Sequence, residues 1–575
     1  MAVKIVLALV YLIIVFYLAY KGWRETRAAS DYLLAGRTMN PYVMAMSYGA
    51  TFISTSAIIG FGGAAGVFGF PLLWLTFLNI LVGVFIAMVV FGKRTRRMGI
   101  ALDSHTFPEL LGRRYQSRFV QGFSGLVIFC FIPVYAAAVL IGISRMLEAS
   151  VVEILVNNFG YVATSALSNT VFNIALLCFS LILAIYVITG GLKAVMYTDA
   201  FQATIMLVMM LFLIVFTYGK LGGIVDAHAS LTSMAEYVPK FYQKGGLMGW
   251  TQGARFGSPM WLMIYTTIIY GVGIGVLAQP QLAVRFMTVS SDKELHRAVL
   301  FGGIFILVMT GGAFVVGALS NVVFFKTDGL ISVTGALEPL VKAAGLYTEQ
   351  SGDQTVTPAI SYVMGHGNMD AIIPAYIERI MPNWFAILFL LAMFAAAMST
   401  LSSHYHVGGT SLGRDFYEMS LNRAGTGRGI SITRLGVALT ILLTLLWGYV
   451  LPAGVIAIAT AFFFGLCAAT FLPAYFLGLF WKGMTRAGAV ASMAGGFVIS
   501  FFFLVFVHQR EALALQLCQA VFGKTTLVAG TRLRFLEVVD PNIIALPAAF
   551  VLAVAVSLAT ARFSQDHINR CWKHI

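Results

Sequence analysis

The sequence predicts an all-α integral membrane protein of about thirteen spans, and three observations carry that reading. Of its 575 residues, 59% are hydrophobic and only 10% are charged, with a mean hydropathy of +0.88. A soluble chain of that size carries far more charge on its surface. Apolar stretches of about twenty residues, the length that crosses roughly 30 Å of hydrocarbon, recur from end to end. Basic residues gather on alternate connections between them.

In chain order the spans are α1 (3–21), α2 (41–68), α3 (70–92), α4 (119–144), α5 (171–189), α6 (194–219), α7 (258–284), α8 (298–325), α9 (384–410), α10 (432–451), α11 (455–480), α12 (486–508) and α13 (543–561). All must be helices, because lipid offers the backbone no partners. α1 is too long for a signal peptide, shows no small-residue cleavage site and runs into Lys21, Arg24 and Arg27, so it reads as a retained helix. α3 ends on Lys93, Arg94, Arg96 and Arg97. Arg113, Arg114 and Arg118 precede α4, and Arg414, Arg423, Arg428 and Arg434 lie at and between α9 and α10. With these clusters inside, the N-terminus lies outside and the C-terminus in the cytoplasm, as expected for a cell (inner) membrane protein. The net charge of +14 therefore sets orientation, and nucleic-acid binding is not indicated.

Several function classes drop out. The five cysteines show no paired spacing, so neither a disulfide framework nor a metal site is indicated. There is no phosphate-binding loop and no nucleophile elbow, which argues against an enzyme or an ATP-driven pump. No appended soluble module or obligate protein partner is evident. The outer connections 220–257, 326–383 and 509–542 are long enough to cap a site and contain helical-looking stretches such as 335–345 and 370–380.

α9 carries a polar knot, Ala396-Ala-Met-Ser-Thr-Leu-Ser-Ser403. Ser399 with Ser402 and Ser403, and Thr400 with Ser403, are three or four apart and share one face. Hydroxyls at membrane depth are costly unless something uses their oxygens, and oxygen ligands suit a hard cation such as Na⁺. α2 and α7 are interrupted: α2 reads Tyr48-Gly-Ala-Thr-Phe-Ile-Ser-Thr-Ser-Ala57 and then Gly60, Gly62 and Gly63, while α7 reads Tyr270-Gly-Val-Gly-Ile-Gly-Val-Leu-Ala-Gln-Pro280. The two interrupted helices are five positions apart. The chain 1–575 then reads as a single transporter domain with repeats at 41–219 and 258–481. Segments 1–40 and 486–575 lie outside the repeats. An odd number of spans inverts the second repeat, the pattern expected of a secondary transporter with its site at the repeat interface.

Four ordered motifs resemble the sodium/solute symporter family: Gly190-Gly-Leu-Lys-Ala-Val-Met-Tyr-Thr-Asp-Ala-Phe-Gln202, Gly273 to Met287, the α9 knot running on to Gly413-Arg-Asp415, and Gly478 to Gly488. The resemblance covers about residues 30–500. It implies the LeuT-type fold of two inverted five-helix repeats, with one extra N-terminal and two extra C-terminal helices. It also implies Na⁺-driven import of a small organic solute by alternating access. Mapped onto this chain, it implies a main sodium site of Ala50, Ile53 and Ala396 carbonyls with Ser399 and Thr400 hydroxyls. A second sodium site would use Asp199, Ser402 and Ser403 and share Ser399. Solute is expected beside the two breaks, near Ser54, Thr55, Ser56 and Tyr135, with Trp74 and Tyr270 as aromatic walls. α4 lacks a central Arg and α7 carries Val272 and Val276 where proline-type relatives have aromatics. A small organic acid or amino acid is the expected solute; sugar, vitamin or anion transport fits the same scaffold, as would a non-transporting sensor. His404 and His406, two apart in a helix, point about 200° apart and read as packing residues. Arg285 and Phe286 read as the end of α7, with Arg285 as a charge anchor.

Overall fold

A computed structural model describes residues 2–162, 164–328, 331–332, 347–350, 353–356, 361, 367–420, 429–451, 456–573 and 575. Every predicted span falls on helix. α1 is Ala2–Glu25, α3 lies in Phe70–Ala101, α4 in Arg118–Phe159, α8 in Asp292–Asp328 and α9 in Asn383–Thr410. α10 is Gly429–Val450, α11 Ile456–Phe480, α12 Arg486–Phe506 and α13 Asn542–Leu558.

α2 is two helices, Pro41–Phe52 and Ser56–Phe68, bent by 54° at the break. The first half starts cleanly, because the Asn40 side chain accepts from the Val43 N–H at 2.8 Å and Pro41 occupies the first turn. α7 runs over Pro259–Ala278 and breaks at Gln279, whose ψ of 115° leaves the helical range, before the short helices Pro280–Ala283 and Val284–Met287. α5 and α6 form one unbroken trace, Ser165–Lys220, that turns at Gly191.

The outer connections also carry the expected short helices, Ile224–Ser233, Ile372–Ile380 and Gln509–Leu515. The stretch 335–345 lies outside the described residues. One element was not expected from the sequence. A small antiparallel sheet joins β1 (Ile331–Ser332), β2 (Tyr347–Gln350) and β3 (Asp353–Val356) in the order β1-β3-β2.

α9 is the axis of the fold. It packs against α4, the α5–α6 trace, α10 and the first half of α2, and its residues from Ala395 to Thr410 are all buried. On the arginine-rich face, α9 continues to Glu418 and is held by a buried carboxylate. Glu109 accepts from Arg113 at 2.7 Å and from Arg414 at 3.1 Å. Burial alone would raise the Glu109 carboxyl, but the His105 hydrogen bond and the Arg414 and Arg113 charges outweigh it and hold it below the ordinary carboxylate range. Asp415 beside it is fully buried and accepts from Thr106 and Gln121 at 2.6 and 2.9 Å.

Gly191 makes the turn between α5 and α6 possible. Its φ of +60° and ψ of −158° belong to a region open essentially to glycine, and a Cβ there would lie 2.6–2.7 Å from the ring and carbonyl of Tyr32. Gly191→Ala should therefore lower the melting temperature of the purified protein, with a strain cost on the order of 1–3 kcal/mol. Gly303→Ala, where nothing lies within 4 Å of a new Cβ, should not. Equal melting temperatures for the two variants would contradict this turn.

Candidate functional site

The break in α2 frees carbonyls at the centre of the fold. The last regular bond of its first half runs from the Ile53 N–H to the Gly49 carbonyl at 2.7 Å, and Ile53 then leaves helical geometry with ψ of 89°. The next carbonyls turn to α9. Ser399 Oγ donates to the Ala50 carbonyl at 3.0 Å and lies 3.1 Å from the Ala396 carbonyl. Thr400 Oγ1 reaches the Ala50 and Thr51 carbonyls at 3.4 and 3.5 Å. Ser399 and Thr400 are fully buried. Four of the five oxygens expected for a main sodium site thus converge, with Thr51 beside them. Ile53 sits at the break itself, and among the described residues no side chain bonds its carbonyl. Such oxygens can bind a hard cation without a charged ligand.

One turn further along α9 the chemistry changes. Asp199, Ser402 and Ser403 meet as expected, and Ser402 Oγ lies 3.4 Å from Asp199 Oδ1. But the centre of the cluster is Arg285. Its Nη2 is 3.0 Å from Asp199 Oδ2 and donates to Ser403 Oγ at 2.7 Å; its Nε donates to Ser47 Oγ at 2.9 Å, and Nη1 to the Gln281 carbonyl. Arg285 and Asp199 are both completely buried. The reading of Arg285 as a surface anchor is therefore wrong. The break at Gln279 and Pro280 turns the chain back into the fold, carrying the guanidinium to Asp199 instead of to the membrane surface. Phe286 is likewise buried and stacks on Tyr48 at 5.6 Å.

Beside the α2 break lies a small cavity of about 20 Å³. It is lined by Ser54, Ser56, Asn79, Tyr135, Thr310 and Thr460 among Phe52, Phe61, Phe314 and Phe464. Space of that size holds about one water. Tyr135 Oη is 3.3 Å from Ser54 Oγ. Thr55 is buried next to it, its hydroxyl without a partner among the described residues, but does not line the space. Trp74 and Tyr270 do not wall it. Trp74 is 56% exposed and meets Phe77 edge-on, while Tyr270 lies half-buried on the Asp540 side of α7. Both are correctly placed in their spans by hydropathy, but the sequence does not show which way a helix is rotated.

One residue escaped the sequence reading. Asn79 Oδ1 is buried in the cavity wall without a partner among the described residues. The signal was there, a single amide within an otherwise apolar span. His404 stacks on Tyr135 at 4.5 Å with neither ring nitrogen hydrogen-bonded among the described residues, so it is packed but not satisfied. His406 packs on Tyr32, in the divergent direction expected.

A second cavity of about 480 Å³ opens on the face that carries the long connections. Ile59 of α2, Ile141 to Ser150 of α4, the segment around Asn368 to Glu378 and the start of α9 line it. Ile59 and Ser56, which line the two cavities, are about one turn apart on the same half-helix.

Residues 32–496 match the sequence profile of the Sodium:solute symporter family. The chain belongs to that family. Similar proteins include a sodium/proline symporter of Staphylococcus saprophyticus, 24% identical over 91% of this chain and 89% of its own length. A sodium/pantothenate symporter of Haemophilus influenzae is 25% identical over 85% and 87%. The fold matches the substrate-bound outward-open state of a Na⁺-coupled sialic acid symporter, with a TM-score of 0.66 and 16% identity over 98% of both chains. The protein is thus a multi-pass, LeuT-type sodium-coupled solute symporter and not an enzyme; Na⁺ is its coupling ion and a small solute its cargo.

Asn79 can be tested apart from the fold. An unpartnered amide contributes little to stability, so Asn79→Leu should change stability by less than about 1 kcal/mol. The same change should raise the solute concentration for half-maximal sodium-dependent uptake at least tenfold. Unchanged uptake would show that Asn79 has no part in solute binding.

Proposed function

We propose that Na⁺ binds between the α2 break and the hydroxyl row of α9, on the carbonyls of Ala50, Ile53 and Ala396 and the hydroxyls of Ser399 and Thr400. The observation that carries this reading is the convergence of Ser399 and Thr400 on the freed Ala50 carbonyl. A cation there joins the two helices and favours the state that accepts solute. Its loss on the other side lets them part. Each charge moved through 100 mV supplies about 2.3 kcal/mol for accumulation.

The solute pocket of this reading is the small cavity at Ser54, Ser56, Asn79 and Tyr135, with the larger cavity as its approach. No charged side chain lines the small cavity. That supports a small organic acid or amino acid whose carboxylate meets the N–H groups of the half-helix beginning at Ser56. Proline and pantothenate, handled by two relatives, are both carboxylates. The arginine-rich face is cytoplasmic in this proposal, the N-terminus outside, and the membrane a cell (inner) membrane. Residues 41–219 and 258–481 act as inverted repeats of one transporter domain, with no obligate protein partner.

A thermal-shift screen of amino acids and small organic acids, in NaCl and in choline chloride, tests the solute class. A ligand that stabilises only with Na⁺ is expected. Ser399→Ala and Thr400→Ala should each raise the half-saturating Na⁺ concentration at least tenfold, a loss of about 1.4 kcal/mol. Two variants with the wild-type sodium dependence would contradict the site.

A further inference from the structure

The sequence pattern that suggests a second sodium ion, Asp199 with Ser399, Ser402 and Ser403, is assembled in the fold. We infer that its cation is built into the chain. The guanidinium of Arg285 is a tethered positive charge that stands where a second Na⁺ would stand, so the symporter couples to one sodium ion per cycle. The inference rests on the proposed main site and goes beyond it by fixing the stoichiometry.

Three observations carry it. The first is position. Arg285 Nη2 lies 3.0 Å from Asp199 Oδ2 and 2.7 Å from Ser403 Oγ, so an ion bridging that carboxylate and that hydroxyl would overlap the nitrogen. The second is charge. Asp199 and Arg285 are both fully buried and pair one to one, so an added Na⁺ would leave an uncompensated positive charge in a low-dielectric interior. The third is anchorage. Ser47 and the Gln281 carbonyl take the remaining arms of the fork, which leaves the guanidinium no alternative pose within the cluster. An arginine, unlike a lysine, does not lose its proton to make room.

Arg285 is a positioning residue with a coupling role. It sits just beyond the α7 break, while its partners belong to α2, α6 and α9. Thr51 joins the two cation positions. Its carbonyl faces Thr400, and its hydroxyl reaches Ser403 at 2.8 Å and Asp199 at 3.4 Å. Movement of α7 therefore carries a fixed charge past the sodium site, as a second ion would do by diffusion.

Equilibrium binding of radioactive sodium to the purified full chain tests this without a known solute. Wild type is expected to bind one Na⁺ per chain with a Hill coefficient of one. Arg285→Gln, which leaves Asp199 unpaired, should bind two with a Hill coefficient above one. Arg285→Gln with Asp199→Asn should return to one, and Arg285→Lys should stay at one. Two ions in the wild type would overturn the tethered cation, whatever the variants do. So would a folded Arg285→Gln that still binds one. Wild type that binds none would instead remove the main sodium site on which the inference rests.

Discussion

A backbone carbonyl released from a helix at membrane depth must find a partner, and this fold is arranged around that requirement. Lipid offers none, and each unsatisfied group costs several kcal/mol. At the α2 break the Ala50 and Thr51 carbonyls are answered by hydroxyls from a different helix, α9. This is why α9 is buried from Ala395 to Thr410 and why small residues dominate its polar stretch: a larger side chain at Ala396 or Ser399 would hold the two backbones apart. A hydrogen bond from a hydroxyl and a bond to Na⁺ use the same carbonyl oxygen. The structural need and the coupling chemistry therefore share their atoms.

The second constraint is charge. Burying Arg285 and Asp199 together is tolerable only because each finds the other and because hydroxyls from Ser47, Thr51, Ser402 and Ser403 fill the remaining directions. The cluster ties α7 to three helices on the side of the sodium site nearer the arginine-rich face. On the opposite side the small cavity at Ser54, Asn79 and Tyr135 is lined by no charged side chain and has about the volume of a single water. The buried ion pair, the freed carbonyls and the small cavity thus occupy three successive levels along α2.

Much of this was legible in the sequence, for identifiable reasons. Hydropathy located the thirteen spans, since length and apolarity are what a bilayer demands. Gly and hydroxyl residues marked the α2 break, and i, i+3 and i+4 spacing put the α9 hydroxyls on one face. Rotation and direction were not legible. Trp74 belongs to the right span, but its ring faces outward, because only neighbouring helices decide that angle. Arg285 at the end of an apolar run resembles a surface anchor, and nothing local shows that the Gln279–Pro280 break folds it inward. Asn79 stood out chemically but had no motif to lend it a role. The antiparallel sheet in the long connection lies in a polar stretch whose local pattern suggested helix and loop.

The central claim is that one sodium ion joins the α2 break to α9. Amide hydrogen exchange of the wild-type protein, compared in NaCl and in choline chloride, tests it most directly. The account predicts that residues 48–55 and 396–403 slow together in sodium and in no other cation, while α12 and α13 are unaffected. Slowing in only one of the two segments, or equal exchange in both salts, would contradict it.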